Sequence, residues 1–436
     1  MQSPTPDVSE IEPPSVPDFN REARPDRRAS ITLAAIVIMY LVAVGCLAST
    51  GRFVFVWKTI TVPALFLAAL VTRRFAPFVK DWSVFLGVVV LFDCFRGLVF
   101  SLILHFHLPY YAAYVIDLDK ALLGGKTLPT ILQDSLFKGR IGWFEKLLVV
   151  VHGSHFVFFL LAGISVWFFR RGEFWRFRRA FILLMICGIT SYFLVPTVPP
   201  WMAAAQYHLI PPIRHISSEV YNFALPSLQR SFDTNPIGAM PSLHTAFPFL
   251  CTLIAFHHFG RRAIPMALYS VSVLFAIGYL GEHYLVDIIA GLLLAVAVYL
   301  LCYRLSSLSR RAEPVTEGLW SRMGAQVLIA VLLIMASEGI GLGGQTLRGS
   351  SNRLHQRPFI ESNLLGRSDR AHLLLAHIAL DEGNVPVAIS EMDLSMREIK
   401  DPDERLNAEQ FLQKLREMRT TIENSVVPAA SSAGVR

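Results

Sequence analysis

Charged residues are scarce in this sequence. Only 17% of its 436 residues are Asp, Glu, Lys or Arg, whereas 53% are hydrophobic and the mean hydropathy is +0.47. Soluble globular domains carry about 25% charged residues, so the composition argues against an ordinary soluble protein. Several apolar stretches reach the roughly 20 residues that a helix needs to cross a bilayer. Because lipid cannot hydrogen-bond to the backbone, these stretches predict an all-α, polytopic membrane helical bundle.

Cysteine motifs and a cleavable signal peptide are also lacking. The five cysteines all fall within apolar runs, with neither a CxxC motif nor the spacing of metal ligands. They are therefore predicted to be small buried hydrophobic side chains rather than disulfide partners or ligands. Residues 1–28 contain no apolar segment of the kind found in signal peptides. The polar, Pro-rich residues 1–30 are predicted to form a disordered tail.

The apolar runs predict a membrane domain of about nine spans within residues 31–341. The predicted spans cover approximately residues 31–50, 53–72, 83–106, 143–169, 178–196, 243–259, 263–280, 284–303 and 323–341. The net charge of +7 is explained by arginine clusters that flank these spans, so it does not indicate nucleic-acid binding. By the positive-inside rule, the arginine clusters and the N-terminus are cytoplasmic.

Two histidines stand out because each begins a predicted span. His244 begins the span 243–259 and His283 begins the span 284–303. An even number of crossings separates the two positions, so both are predicted to lie at the outer face of the membrane. Asp287 follows His283 by four residues and shares a helix face with it.

These three residues suit acid–base and nucleophilic chemistry. A carboxylate at Asp287 can orient the imidazole of His283 and leave its other nitrogen free as a nucleophile. His244 is placed to act as a general acid for a leaving group. Ser242 and the free N–H groups at the start of its helix could bind an anion such as phosphate. Two alternatives remain: histidines that only cap helix ends, and a metal site built from the two histidines and the aspartate.

Two segments around these residues resemble the type-2 phosphatidic acid phosphatase superfamily. They are Asn235-Pro-Ile-Gly-Ala-Met-Pro-Ser-Leu-His-Thr-Ala246 and Gly281-Glu-His-Tyr-Leu-Val-Asp-Ile-Ile-Ala-Gly291. The resemblance is closest to the inositolphosphotransferase branch, which includes inositol phosphorylceramide synthases. Weaker pieces of that pattern are Leu122-Leu-Gly-Gly-Lys-Thr-Leu-Pro129, Ser154-His-Phe156 and Val198-Pro-Pro-Trp201.

The resemblance spans about residues 85–305 and implies a catalytic core of six helices. It implies His283 as the nucleophile of a phosphohistidine mechanism, Asp287 as its orienting partner and His244 as the acid. It implies neither a metal nor another cofactor. Tyr284, which follows His283 in the same segment, is a candidate substrate-binding residue.

The sequence departs from the phosphatase branch at two basic positions. Ala276-Ile277 stands where phosphatases carry Ser-Arg, and their first segment, with its Lys and Arg-Pro, is missing. This argues against phosphomonoesters and favours a phosphodiester donor, which carries less negative charge. Arg96 is a candidate replacement cation, although it could equally form a structural pair with Asp93. His155 is a further candidate at the site.

Arg214 and Arg230, in the long loop 197–239, are also candidate cations. Both are better explained as solvated loop charges, because an isolated arginine in a long polar loop needs no special role.

Residues 342–436 have a different, mixed polar and apolar character. Helical spacing over Ala371–Leu380, a stop at Asp381–Asn384 and two further amphipathic runs predict a small helical, tetratricopeptide-like region. One such repeat cannot bury its own apolar face. The region must therefore pack on the membrane domain, on another copy of the chain or on a protein partner.

Three functions are compatible with these observations. The first is a bacterial plasma-membrane enzyme that transfers a phosphorylated head group from a phospholipid to a hydroxyl acceptor. The second is a lipid phosphate phosphatase, in which water is the acceptor. The third is a catalytically inactive scaffold that recruits a partner through the C-terminal helices, and the presence of all four site residues, Ser242 included, argues against it.

Overall fold

The computed structural model describes residues 75–224, 235–305 and 357–426. Its helices are, in chain order, α1 (Phe75–His105), α2 (Ala113–Leu122), α3 (Leu128–Leu136), α4 (Trp143–Phe169), α5 (Phe174–Leu194), α6 (Pro200–Ala205), α7 (Ile216–Ala224), α8 (Leu243–Phe259), α9 (Ile264–Tyr279), α10 (Leu285–Tyr299), α11 (Arg357–Asn363), α12 (Ala371–Asp381), α13 (Val385–Glu398) and α14 (Pro402–Val426). The predicted all-α fold is confirmed. The predicted N-terminal tail, the first two spans, the span at 323–341 and Arg230 lie outside the described residues.

Six long helices, α1, α4, α5, α8, α9 and α10, form the bundle. Among the described residues, four helical stretches are long and apolar enough to cross a membrane, and α4 makes a fifth if its two bent halves are one span. The stretch Leu243–Tyr279 contains both α8 and α9. These helices reverse direction at Gly260, whose φ of 55° suits glycine, and Thr252 on α8 hydrogen-bonds to Ser270 on α9 at 2.7 Å. The polytopic six-helix core is therefore present.

The two ends of the bundle differ in their polar residues. His244 lies at the start of α8, and His283 lies in the turn between α9 and α10, so both occupy one end, which we call the histidine end. Arg170, Arg262 and Arg304 lie where α4, α8 and α10 reach the other end. This separation follows from the alternating direction of the helices, as the sequence predicted.

Two predicted spans begin earlier in the structure. The third was predicted from residue 83 but begins at Phe75, and the fifth was predicted from 178 but begins at Phe174. In the sequence, charged residues near both helix starts look like the ends of the apolar spans. Asp81 accepts hydrogen bonds from Trp167 Nε1 at 2.8 Å and Arg171 Nε at 3.0 Å, so α1 can carry a charge where it packs against α4.

Stacked aromatic rings hold α8 in the centre of the bundle. Phe247 on α8 stacks on Phe159 of α4 and Phe181 of α5, with ring centroids 5.2 and 5.7 Å apart. Phe92 of α1 meets the same ring edge-on. Such pairs favour offset stacked or edge-to-face geometry, and together they fix the helix that carries His244.

The C-terminal helices pack on the histidine end. Phe359 of α11 stacks on Tyr110, with centroids 4.1 Å apart, and also contacts Tyr207. Leu374 and Leu375 of α12 extend the core of the bundle, whereas α12, α13 and α14 share a second core of their own. The predicted helical C-terminal region is present. Of the three surfaces considered for it, the structure shows packing on the membrane domain.

The N-terminal halves of α8 and α10 touch through their backbones. The N–H of Ser242 donates to the carbonyl of Asp287 at 3.1 Å. One turn further along α10, a Cβ on Gly291 would lie 2.3 Å from the carbonyl oxygen of Ser242. No side chain fits in that space, so glycine at position 291 permits the close approach of the two helices that carry the histidines.

We expect Gly291→Ala to destabilise the protein, because the added methyl group must displace backbone rather than a flexible side chain. Overpacking of this kind costs about 1–3 kcal/mol. Thermal unfolding in detergent should show a lower melting temperature for this variant. Gly172→Ala is the matched control, since nothing lies within 4 Å of its added Cβ. Equal melting temperatures for the two variants would refute the assignment.

Candidate active site

His283 and Asp287 are positioned by the turn that opens α10. Gly281 turns the chain with a φ of 85°, and the backbone N–H of Tyr284 donates to Asp287 Oδ2 at 3.0 Å. The same oxygen lies 3.5 Å from His283 Nδ1. That distance exceeds a hydrogen bond, as is common for catalytic pairs before substrate binds. Asp287 is fully buried, so its carboxylate is available to orient the imidazole.

His244 is brought directly against His283. Ser242 caps α8 by accepting a hydrogen bond from the Thr245 N–H at 3.3 Å, and His244 follows in the first turn. His244 Nδ1 lies 2.9 Å from His283 Nε2. If Asp287 retains the proton on His283 Nδ1, then Nε2 carries the lone pair and His244 donates to it. The pair thus presents a nucleophilic nitrogen beside a proton donor.

Two more histidines surround His244. His155 and His152, one turn apart on α4, have ring centroids 4.3 and 4.7 Å from that of His244. His155 Nδ1 donates to the backbone carbonyl of His152 at 2.5 Å. The Ser154 hydroxyl donates to the backbone carbonyl of Val151 at 2.8 Å. Such side-chain bonds to helical carbonyls bend helices. Here α4 bends by 52° after His155.

The histidines border a cavity of about 100 Å³, which has room for several water molecules or a phosphate-sized group. Its wall toward the bundle is largely apolar and includes Phe92, Tyr192 and Phe247. Its wall toward the histidine end is polar, and it consists of Trp201, His215, Ser217, Ser218, Asn235 and Glu282. A ligand in this cavity would therefore meet both an apolar and a polar environment.

A partly buried acidic residue lies in the polar wall. Glu282 Oε1 accepts hydrogen bonds from the Ser217 hydroxyl and, at 3.0 Å, from His215 Nε2, while the His215 ring stacks on Trp201. Burial alone would raise the pKa of Glu282, but the charge and hydrogen bond of His215 outweigh it and lower this pKa to about 2. Glu282 is thus ionised and already hydrogen-bonded to His215 and Ser217.

Two buried side chains at the cavity lack partners among the described residues. Both ring nitrogens of His152 and both polar atoms of the Asn235 amide have no hydrogen-bond partner. The side chains are 9% and 8% exposed. An unpaired buried polar atom costs about 1–3 kcal/mol, so these groups are suited to a ligand or water in the cavity.

Arg96 and His155, both predicted from the sequence, also line the cavity. Arg96 Nη1 lies 3.8 Å from Asp93 Oδ1, which is a long contact for an ion pair. Both alternatives considered for Arg96 are therefore compatible with its position. Among the described residues around the cavity, it is the only arginine or lysine.

Ser242 and Tyr284 do not line the cavity. Ser242 is fully buried, and its hydroxyl caps α8. The Tyr284 side chain is fully buried in the hydrophobic core. Arg214 is held by Glu219 at 2.8 and 2.9 Å, as a solvated loop charge would be.

Four cavity residues were missed by the sequence analysis. His152 lies three positions before His155 on the predicted helix, so helical spacing could have found it. Asn235 and Glu282 lie within the two quoted segments. His215 gives no signal, because only the folded loop brings it to Glu282. No cluster of three or more His, Cys, Asp or Glu side chains with the geometry of a metal site occurs in the part of the chain described.

These features define a membrane-embedded helical protein with a partly buried histidine pair backed by a carboxylate. Residues 116–301 match the family model of the PAP2 superfamily. This match covers less than half of the chain, and it confirms the predicted resemblance to that superfamily.

The chain is also similar to a phosphoinositol dihydroceramide synthase from Bacteroides thetaiotaomicron. The two are 25% identical over 154 residues, which are 32% of this chain and 50% of the relative. The match thus spans half the length of that relative, and it supports the resemblance to the inositolphosphotransferase branch. No solved structure matches the chain significantly.

The low pKa of Glu282 predicts a pH-dependent contribution to stability. A carboxylate whose pKa falls from 4.5 to about 2 on folding stabilises the protein fully above its ordinary pKa, and this contribution is lost as the pH falls toward 2. Wild type should therefore melt at a higher temperature than Glu282→Gln near about pH 6, and the difference should shrink below about pH 4.5. Glu219→Gln, which removes a more exposed carboxylate, should show little difference throughout. A difference that stays constant with pH would contradict the assignment.

Proposed function

We propose that this protein is a membrane phosphotransferase. It moves a phosphorylated head group from a lipid donor to a hydroxyl acceptor through a phosphohistidine on His283. The observation that carries the proposal is the 2.9 Å contact between His244 Nδ1 and His283 Nε2, with Asp287 on the far side of the His283 ring.

In the first half-reaction, His283 Nε2 attacks phosphorus and the bond from phosphorus to the lipid oxygen breaks. His244, protonated, gives its proton to that oxygen, so the lipid leaves as an alcohol. Binding of an anionic donor favours the imidazolium form of His244. The His244–His283 hydrogen bond must open to admit the phosphoryl group, which leaves His244 beside the leaving oxygen. Asp287 stabilises the positive charge that develops on His283.

In the second half-reaction, the acceptor hydroxyl attacks phosphorus and the phosphorus–nitrogen bond breaks. His244 takes the proton of the hydroxyl and His283 is restored, so the two half-reactions balance. Water can replace the alcohol in this step, and the product would then be a free phosphorylated head group. The phosphatase alternative thus uses the same residues.

The charge of the cavity favours a phosphodiester donor. Arg96 supplies one positive charge, and the carboxylate of Glu282 lines the same cavity. A phosphodiester carries one negative charge, whereas a phosphomonoester carries nearly two at neutral pH. One arginine beside a carboxylate suits the smaller charge. This supports transfer over phosphomonoester hydrolysis.

The two walls of the cavity suit the two parts of such a donor. The apolar wall with Phe92 and Phe247 faces the bundle, where the lipid portion would lie. The Asn235 amide and the neutral form of the His152 imidazole can each both donate and accept hydrogen bonds. A hydroxyl group can do the same, so it can pair with either side chain. This supports a hydroxylated head group, consistent with the phosphoinositol in the relative's name. We place the site at the outer face of a bacterial plasma membrane, because the arginine-rich end is cytoplasmic by the positive-inside rule.

A head-group-labelled phospholipid supplied to the purified protein with a hydroxyl-bearing lipid tests the proposal. We expect label to appear on the second lipid and, after a rapid acid-free quench, on the protein. His283→Ala should abolish both signals, because it removes the nucleophile. His257→Ala is the control, since it removes an exposed histidine at the other end of α8. Release of label only as a water-soluble phosphate would indicate hydrolysis, and activity retained by His283→Ala would refute the mechanism.

The orientation can be tested by cysteine labelling in intact cells. Thr420→Cys on the exposed surface of α14, at the histidine end, should react with a membrane-impermeant maleimide. Gly172→Cys, exposed at the arginine-rich end, should react only after permeabilisation. The opposite pattern would place the site in the cytoplasm.

A further inference from the structure

Helix α2 begins without a capping side chain of its own. Ala112, at its N-cap position, makes no side-chain hydrogen bond. Instead, Asn363 Oδ1 from the C-terminal helix α11 accepts hydrogen bonds from the N–H groups of Ala112 at 3.0 Å and Ala113 at 3.1 Å. Asn363 is 250 residues away in sequence and does what an N-cap residue normally does for its own helix.

Asn363 is itself firmly held. It is 5% exposed, and its Nδ2 donates to the carbonyl of Phe359 at 3.1 Å and to the Ser362 hydroxyl at 2.8 Å. Around it, Arg367 Nη1 donates to both carboxylate oxygens of Asp117 on α2, and the hydroxyl of Ser368 donates to the carbonyl of Tyr207. The exposed Arg367 pair contributes little energy. The buried amide of Asn363 is therefore the specific contact between α11 and α2.

From α2, one path leads to the nucleophile. Asp119, fully buried on α2, accepts from the N–H of Leu128 at 2.8 Å and from the N–H of Val286 at 3.1 Å. Val286 lies in the first turn of α10, directly before Asp287. The position of α2 thus sets the position of the helix start that orients His283.

A second path leads to the acid. Tyr111, directly before Ala112, donates to the carbonyl of Pro196 at 2.9 Å and accepts from Val198 at 2.8 Å. Thr197 in turn donates to the carbonyl of Ile237 at 2.7 Å and accepts from Ala239 at 3.3 Å. Ala239 is five residues before His244. The segment that Asn363 caps is therefore connected by hydrogen bonds both to the segment that carries His283 and to the segment that precedes His244.

We propose that Asn363 is a positioning residue for catalysis, through which the C-terminal helices hold the His244 and His283 segments in mutual alignment. The proposal rests on the proposed function, and it gives the C-terminal region, which lies beyond the family match at 116–301, a role in the chemistry of the same chain.

Asn363→Ala in the full-length protein tests this role. We expect kcat and the single-turnover rate of phosphohistidine formation to fall between about 3-fold and 100-fold, because small misplacements of reacting groups have effects of this size. KM should stay within about twofold, since Asn363 does not itself line the cavity and the interaction lost affects the transition state. Asn363→Asp keeps an acceptor at the start of α2 but loses the Nδ2 donor. It should recover the rate to within about threefold of wild type, because Asp and Asn cap helices about equally well.

Asn384→Ala is the matched control. Asn384 caps α13 by accepting from the N–H of Val387 at 3.3 Å, within the same C-terminal region but away from α2. Both alanine variants lose one cap and should melt at lower temperatures, more so for the buried Asn363 than for the exposed Asn384, but only Asn363→Ala should lower kcat. An unchanged kcat in Asn363→Ala, or an equal loss in both variants, would overturn the proposal. Wild-type protein that forms no phosphohistidine would refute the proposed function instead.

Discussion

The active site depends on the backbone contact between the N-terminal halves of α8 and α10. Ser242 donates its N–H to the carbonyl of Asp287, and Gly291 leaves space for the carbonyl of Ser242. Each of these helices carries one histidine at its start. Because the contact is made by backbone atoms, it sets the separation of the helix axes without relying on flexible side chains. The direct His244–His283 hydrogen bond is a consequence of that separation.

This contact lies near the membrane boundary, where burying a polar or ionisable side chain costs free energy. Such side chains therefore often have a functional role. The chain nevertheless places five histidines, a glutamate and an arginine around one cavity, with the buried Asp287 behind His283. Some are satisfied within the protein, as Glu282 is by His215 and Ser217. His152 and Asn235 are not satisfied by any described residue. That contrast separates the groups that shape the cavity from those suited to contact a ligand.

Much of the fold followed from periodicity and charge alone. The apolar runs predicted the six helices of the bundle, and the parity of the crossings placed His244 and His283 at the same end. The starts of α1 and α5 were predicted too late, because Asp81 and the arginines near 176 looked like boundaries. These charges are tolerated since they pair with each other or with backbone groups across helices, as Arg178 does with the carbonyl of Asp81. Such pairing depends on packing between helices that are distant in sequence.

By itself, the sequence determined the candidate catalytic residues, because local spacing puts Asp287 one turn after His283 and a helix start at His244. Only the tertiary structure decided which other groups reach them. Ser242 and Tyr284 lie next to the candidate catalytic residues in sequence, but the Ser242 hydroxyl caps α8 and the Tyr284 side chain is buried in the core. Neighbouring residues at a helix start face different directions. His215 and Asn363 are remote in sequence, and the loops and helices that carry them meet only when the chain is folded. Hydrogen-bond partners of this kind are specified by three-dimensional packing, which no local pattern encodes.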